Sequence, residues 1–154
     1  WDVGTEIISA TATVGDVKSF IDGKAKGTGC DAVYLLGNIP VPYSGTFCRD
    51  PNYLYPPDGH AATDPNSHCG AWPADVYYGV IDGNWTDTDS TTIGKRAENK
   101  NLIGDGKWDN NRIPGEVTIA VGRVDLSRLP VFSKTLFKST NIQDGTPTKL
   151  VISS

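Results

Sequence analysis

The stretch DAVYLLGNIPVP, residues 31–42, decides how the chain is read. Ala32 to Leu36 is a continuous apolar run of strand length, the pattern of a strand buried on both faces. Gly37 and Pro40 end it. A strand covered on both sides sits inside a sheet with helices over it, so helices are expected on either side in the sequence. Upstream, DVKSFIDGKAK (16–26) places Val17, Phe20 and Ile21 at i, i+3 and i+4 on one helical face. Asp16 puts negative charge near the amino end, and Gly27 and Gly29 stop the helix. Downstream, EVTIAVGRV (116–124) reads as a second strong strand. SRLPVFSKTLFKSTNI (127–142) reads as a helix, with Pro130 in its first turn and an apolar face of Phe132, Leu136 and Phe137. TKLVIS (148–153) reads as a third buried strand.

Strands alternating with helices predict an α/β fold with a mostly parallel sheet flanked by helices. The apolar segments 32–36, 117–121 and 149–152 are expected side by side and pointing the same way. Between the first two runs a long excursion, 38–115. Residues 44–75 hold five prolines and no clear period and read as loop, while VYYGVI (76–81), β-branched and aromatic, reads as a strand or strand edge. Loops at the carboxyl ends of parallel strands normally carry function, and this excursion leaves from such an end. If further strands belong to the parent protein, segment 148–153 has an unpaired edge, which predicts self-association or a partner.

At 154 residues the chain is of single-domain size and buries enough surface for a real core. Apolar content of 38% and charged content of 21% fit a globular protein. A net charge of −4, with basic residues scattered, argues against a nucleic-acid backbone as partner. No apolar run reaches membrane-spanning length. Seventeen glycines and ten prolines make the chain rich in turns. It opens at Trp1 and contains no Met, which reads as a processed chain or a piece of a longer one.

Three cysteines leave one over after any pairing. Cys48 and Cys69 bracket residues 49–68 and are the favoured disulfide, with Cys30 buried and reduced; three free thiols are the alternative. Closing a loop of about 20 residues stabilises by roughly 3 kcal/mol in the chain-entropy model. His60, His68 and Cys69, with Asp58 or Asp64, offer zinc ligands, but the spacing matches no common structural zinc pattern. Nothing around Cys48, Cys69 or His60 supplies the activating context of a catalytic thiol.

The acidic loops carry a better signal. DGNWTDTDS gathers Asp82, Asn84, Asp87 and Asp89; GDGKWDNNRIPGE gathers Asp105, Asp109, Asn111 and Glu116. Calcium takes six to eight oxygens from carboxylates, amides and carbonyls on a chain able to bend around it, and Gly83 and Gly106 allow the bend. Calcium is therefore the expected cofactor, against the plainer reading of solvated acidic turns. Asn84-Trp85-Thr86 is also a glycosylation sequon. Trp72, Trp85 and Trp108 lie in these loops, either as a small core for the excursion or as stacking surfaces for a ligand. With Asp58, His60, His68 and Asp75 they are the candidates for a ligand face.

AVYLLGNIPVPYSG (32–45), PDGH (57–60), GAWPADVYYGVIDGNWTD (70–87) and IPGEVTIAVGRVDLSRLPVF (113–132), in this order, resemble the amino-terminal part of a secreted bacterial domain similar to the gingipain-type cysteine peptidases. The resemblance implies a caspase-like, Rossmann-like half, calcium sites and an extracellular or cell-surface address. In that family the catalytic histidine and cysteine follow later strands. Neither His60, His68 nor any cysteine here matches those positions, so no catalytic residue carries over. The resemblance thus implies a non-catalytic subdomain whose partner is the remainder of a longer chain or a second chain. An adhesive module forming a homo-assembly and the front half of an active peptidase are the alternatives.

Overall fold

In the computed structural model, residues 3–46, 70–92, 94, 96–125 and 148–153 are described, the last segment by its backbone. The elements in chain order are β1 (Val3–Glu6), α1 (Val14–Thr28), β2 (Ala32–Gly37), β3 (Tyr43–Ser44), β4 (Trp72–Pro73), the one-turn α2 (Val76–Gly79), a 3-10 turn at Ala97–Asn99, β5 (Ala120–Val124) and β6 (Thr148–Ser153). Two compact units divide the chain: Trp1–Pro40 with Thr118–Ser154, and Val41–Val117.

The first unit is α/β. Its sheet runs in the order β1-β6-β2-β5. β2 and β5 are parallel, with Tyr34 opposite Gly122. β2 is a strand where one was read, but it is buried on one face only, not on both: Val33 and Leu35 are buried, while Tyr34 on the other face is exposed. A Cβ on Gly122 would stand 2.9 Å from the Tyr34 ring, so the glycine lets that ring lie across the strand pair. The Arg123 guanidinium donates to Ile39 O at 2.6 Å and Pro40 O at 2.9 Å, fixing the chain where it leaves β2.

α1 extends the helix expected at 16–26 by two residues at each end. The reason is at its start: Thr13 caps the helix and forms a reciprocal capping box with Asp16. Gly29, at φ 73°, closes the other end in the left-handed conformation. Val17 and Ile21 are buried, and Lys18, nearly buried, pairs with Asp22 at 2.5 Å.

Two expectations are corrected here. Segment 148–153 is a strand, but β6 runs antiparallel to both β2 and β1. An apolar run buried on two faces looks the same in either direction; the connection sets the direction, not the run. Among the described residues the sheet is therefore mixed, with one parallel pair, β2–β5, rather than mostly parallel. β6 also lies between two paired neighbours, so it does not supply the open edge from which self-association was argued. The expected helix 127–142 lies outside the described residues. β1 was not anticipated: Val3, Gly4 and Thr5 are exposed, and a short edge strand with no buried face leaves no periodic signal.

Candidate functional site

The second unit contains most of the candidate residues. Its frame is a two-stranded sheet and a set of short backbone contacts. β3 and β4 pair over two residues, Tyr43 with Pro73 and Ser44 with Trp72. Gly45 N donates to Trp108 O at 2.8 Å and Trp108 N to Tyr43 O at 2.9 Å. Thr91 and Asn101 exchange both backbone bonds at 2.8 and 2.9 Å. Gly70 is packed as closely: a Cβ there would stand 1.8 Å from Asn99 O.

VYYGVI is not the strand its β-branched and aromatic residues suggest. Val76–Gly79 forms one helical turn, entered by Tyr77 N to Ala74 O at 2.9 Å and Tyr78 N to Asp75 O at 3.0 Å. Packing overrides propensity, because the turn buries Tyr77 and Tyr78 together, which alternation along a strand would separate. Tyr77 stacks on Trp108 at 5.1 Å between ring centroids and meets Trp85 edge-on at 5.2 Å. Trp85 and Trp108 thus form a small core for the loops, while Arg96 lies over the Trp72 ring at 5.9 Å.

Several of the acids and amides of 82–116 are engaged with backbone. Asp87 accepts from Gly104 N at 2.7 Å and Gly106 N at 3.0 Å. Asp105 accepts from Leu102 N at 3.1 Å and Lys107 N at 2.9 Å, with the Lys107 ammonium 3.3 Å away. Buried Asp109 accepts through Oδ2 from the amides of Thr88 and Asp89, the latter at 2.9 Å. Its Oδ1 faces the Asn101 amide nitrogen at 3.1 Å. Asn110 accepts from Thr86 N at 2.9 Å and donates to Asn84 O at 3.2 Å; Asn111 accepts from Thr46 N at 3.1 Å. Ser44 Oγ donates to Asn110 O at 2.6 Å.

Among the described residues no three His, Cys, Asp or Glu side chains gather around a common point. Asp82, Asn84, Asp89 and Glu116 have exposed side chains. Asp75 opens the α2 turn. Asp58, His60, His68, Cys48 and Cys69 lie outside the described residues. Sequence reasoning passed over Asn101, Gly45 and Asn99. Asn101 is fully buried and its amide nitrogen lies 3.1 Å from Gly45 O, Trp108 O and Asp109 Oδ1. No spacing marks it, since its partners are up to 56 residues away along the chain.

The loop 102–106 has a further property. Its backbone is held by Asp87 and Asp105, yet Leu102 and Ile103 are 50% and 67% exposed. No family model matches the chain, and no curated protein or solved structure matches it. No helix among the described residues is long and apolar enough to cross a membrane.

Proposed function

We propose that this chain is a non-catalytic scaffold and binding subdomain of a secreted, gingipain-like, cysteine-peptidase-related protein, stabilised by calcium and working outside the cell or at its surface. One observation carries the reading: Asp87, Asp105 and Asp109 are each engaged by backbone N–H groups that hold the loops in place. Carboxylates so used order a surface; general acids and bases are instead left in reach of a substrate proton. The loops they order present Leu102 and Ile103 on a preformed turn, which lowers the ordering cost of binding a partner.

The caspase-like kinship rests on the quoted motifs and on the parallel β2–β5 pair with the 41–117 insertion between its strands. The antiparallel β6 is a departure from the arrangement that kinship calls for, and the extracellular address draws on the motifs alone. The remainder of a longer chain, or a second chain, is the proposed partner. The test is hydrolysis of arginine and lysine reporter peptides by this chain and by the full polypeptide from its native source. No turnover by this chain is expected. Turnover that disappears on cysteine alkylation would overturn the non-catalytic reading.

A further inference from the structure

β1 lies at the edge of its sheet: in the order β1-β6-β2-β5 it pairs with β6 on one side and, among the described residues, with no strand on the other. Edge strands are commonly guarded by lysine, proline or a bulge. β1 carries none of these. It reads VGTE, and its register against β6 is unbroken from Val3 to Glu6. Its one charge, Glu6, is taken up by Lys24 of α1 at 2.6 Å. Val3, Gly4 and Thr5 are exposed. Ile7, directly after the strand, is the most exposed large apolar side chain among the described residues, at 74%, and Val3 stands at 59%. Thr5 and Tyr34 both stand opposite position 151, so they share one face of the sheet, with Val3 on it as well. The strand therefore offers solvent both an open backbone edge and an apolar side.

The side chains say which strand fits this edge. Suppose a second copy adds its own β1 antiparallel, about a two-fold axis perpendicular to the sheet. Opposed residues share a face, so the axis must set one residue against itself. Centred on Glu6, carboxylate meets carboxylate. Centred on Gly4, Glu6 meets Asp2 of the other copy. Centred on Val3, the ladder leaves out Glu6 and Ile7. Centred on Thr5, threonine meets threonine, Gly4 meets a Glu6 already paired with Lys24, and Val3 meets Ile7 twice. Opposed threonines stabilise a pair of strands and opposed like charges destabilise it. Only the Thr5 register spans all of β1 without setting like charges against each other, and it covers the two exposed apolar side chains with one another.

We propose that β1 pairs with β1 of a second copy in the Thr5 register, joining two chains through one continuous sheet. The self-pairing uses up the β1 edge of both copies, so it closes at a dimer and does not run on into a filament. The contact is short: residues 3–7 of each copy bury well under the ~1,000 Å² of a stable complex, which places Kd on the order of 10⁻⁵–10⁻³ M. This inference goes beyond the scaffold reading and does not depend on it, since the edge is present whether or not the chain takes part in catalysis; the peptidase assay and the mass measurement can each fail alone.

The test is sedimentation equilibrium on the whole chain. The mean mass should rise toward twice that of one chain between about 10 μM and about 1 mM. Val3→Lys combined with Ile7→Lys sets like charges opposite each other and should stay monomeric. Val3→Lys combined with Ile7→Glu sets opposite charges there and should associate about tenfold more tightly than the like-charge variant. Ala120→Lys, on the other edge strand β5, should leave the dimer unchanged. A chain monomeric up to about 1 mM overturns the proposal, as do oligomers larger than a dimer, a like-charge variant that still dimerises, or a dimer lost in Ala120→Lys. Equal association of the two charged variants overturns the register. Should those variants not fold, the unaltered chain decides by hydrogen exchange: the amides of residues 3–7 should exchange more slowly in concentrated than in dilute samples. Exchange there that is indifferent to concentration sinks the dimer.

Discussion

Gly70 and Gly104 both have positive φ, 93° and 77°, yet they tolerate a side chain very differently. At Gly104 an added Cβ meets nothing within 4 Å, so Gly104→Ala costs the left-handed backbone alone, about 1–2 kcal/mol. At Gly70 the Cβ would also overlap Asn99 O, a backbone atom that cannot swing aside. Gly70→Ala should therefore destabilise by more than about 3 kcal/mol, and urea unfolding of the two variants side by side would show it; equal midpoints would mean the Asn99 segment moves freely. Asp16 gives a pH dependence with a fixed sign. The backbone N–H and hydroxyl of Thr13, each at 2.8 Å, hold its carboxyl below the ordinary value of 3.8. A depressed carboxyl stabilises the fold above its unfolded pKa, and that stabilisation is lost as pH falls through the folded value. Asp16→Asn should flatten the fall in melting temperature below pH 3.8 and leave its slope at neutral pH unchanged. Cys30 goes the other way: burial pushes its thiol up, so it stays protonated at neutral pH, with Sγ 3.2 Å from Ala32 O. Alkylation at Cys30 mapped by mass spectrometry should be slow in the native chain and fast in urea.

At the scale of elements, α1 depends on one residue outside its own span. Thr13→Ala removes the reciprocal cap with Asp16 and should cost about 1 kcal/mol, read as a lower urea midpoint with unchanged slope. The helix was legible because Val17 and Ile21 repeat on one face, and β2 because Val33 and Leu35 interrupt no polar pattern. The location of β6 was legible for the same reason, while its direction was not. Direction depends on where the chain has been brought before the strand begins, and an apolar run carries no record of that. The 76–81 segment failed differently. Its residues favour strand, but Tyr77 has ring partners at positions 85 and 108, and contacts made across the chain outweigh a local preference. The acidic loops were found for their composition and their role was only partly readable. Asp87 and Asp105 sit where calcium ligands were expected, yet they serve as acceptors for Gly104, Gly106, Leu102 and Lys107. The same oxygen lone pairs that let a carboxylate bind a cation let it accept from backbone N–H groups, and composition does not separate the two uses.

At the scale of the whole chain, the division into two units decides how the three cysteines are to be tested. Cys30 belongs to the first unit and is buried with its thiol free. Cys48 and Cys69 both fall within Val41–Val117, so a bond between them would constrain that unit alone. It would close a loop of about 20 residues and remove roughly 3 kcal/mol of chain entropy from the unfolded state. A unit built from two-residue strands and side chain–backbone bonds has little repetitive structure to nucleate it, which makes such a constraint worth more to its folding than to that of a sheet. Titration in denaturant without reductant is expected to find one reactive thiol, Cys30, and three after reduction. Reduction should also lower the melting temperature by about 6–12 °C, the shift that 3 kcal/mol produces in a chain of this size. Three thiols before reduction would remove the disulfide, and with it the physical support that an oxidising, extracellular setting draws from the cysteines.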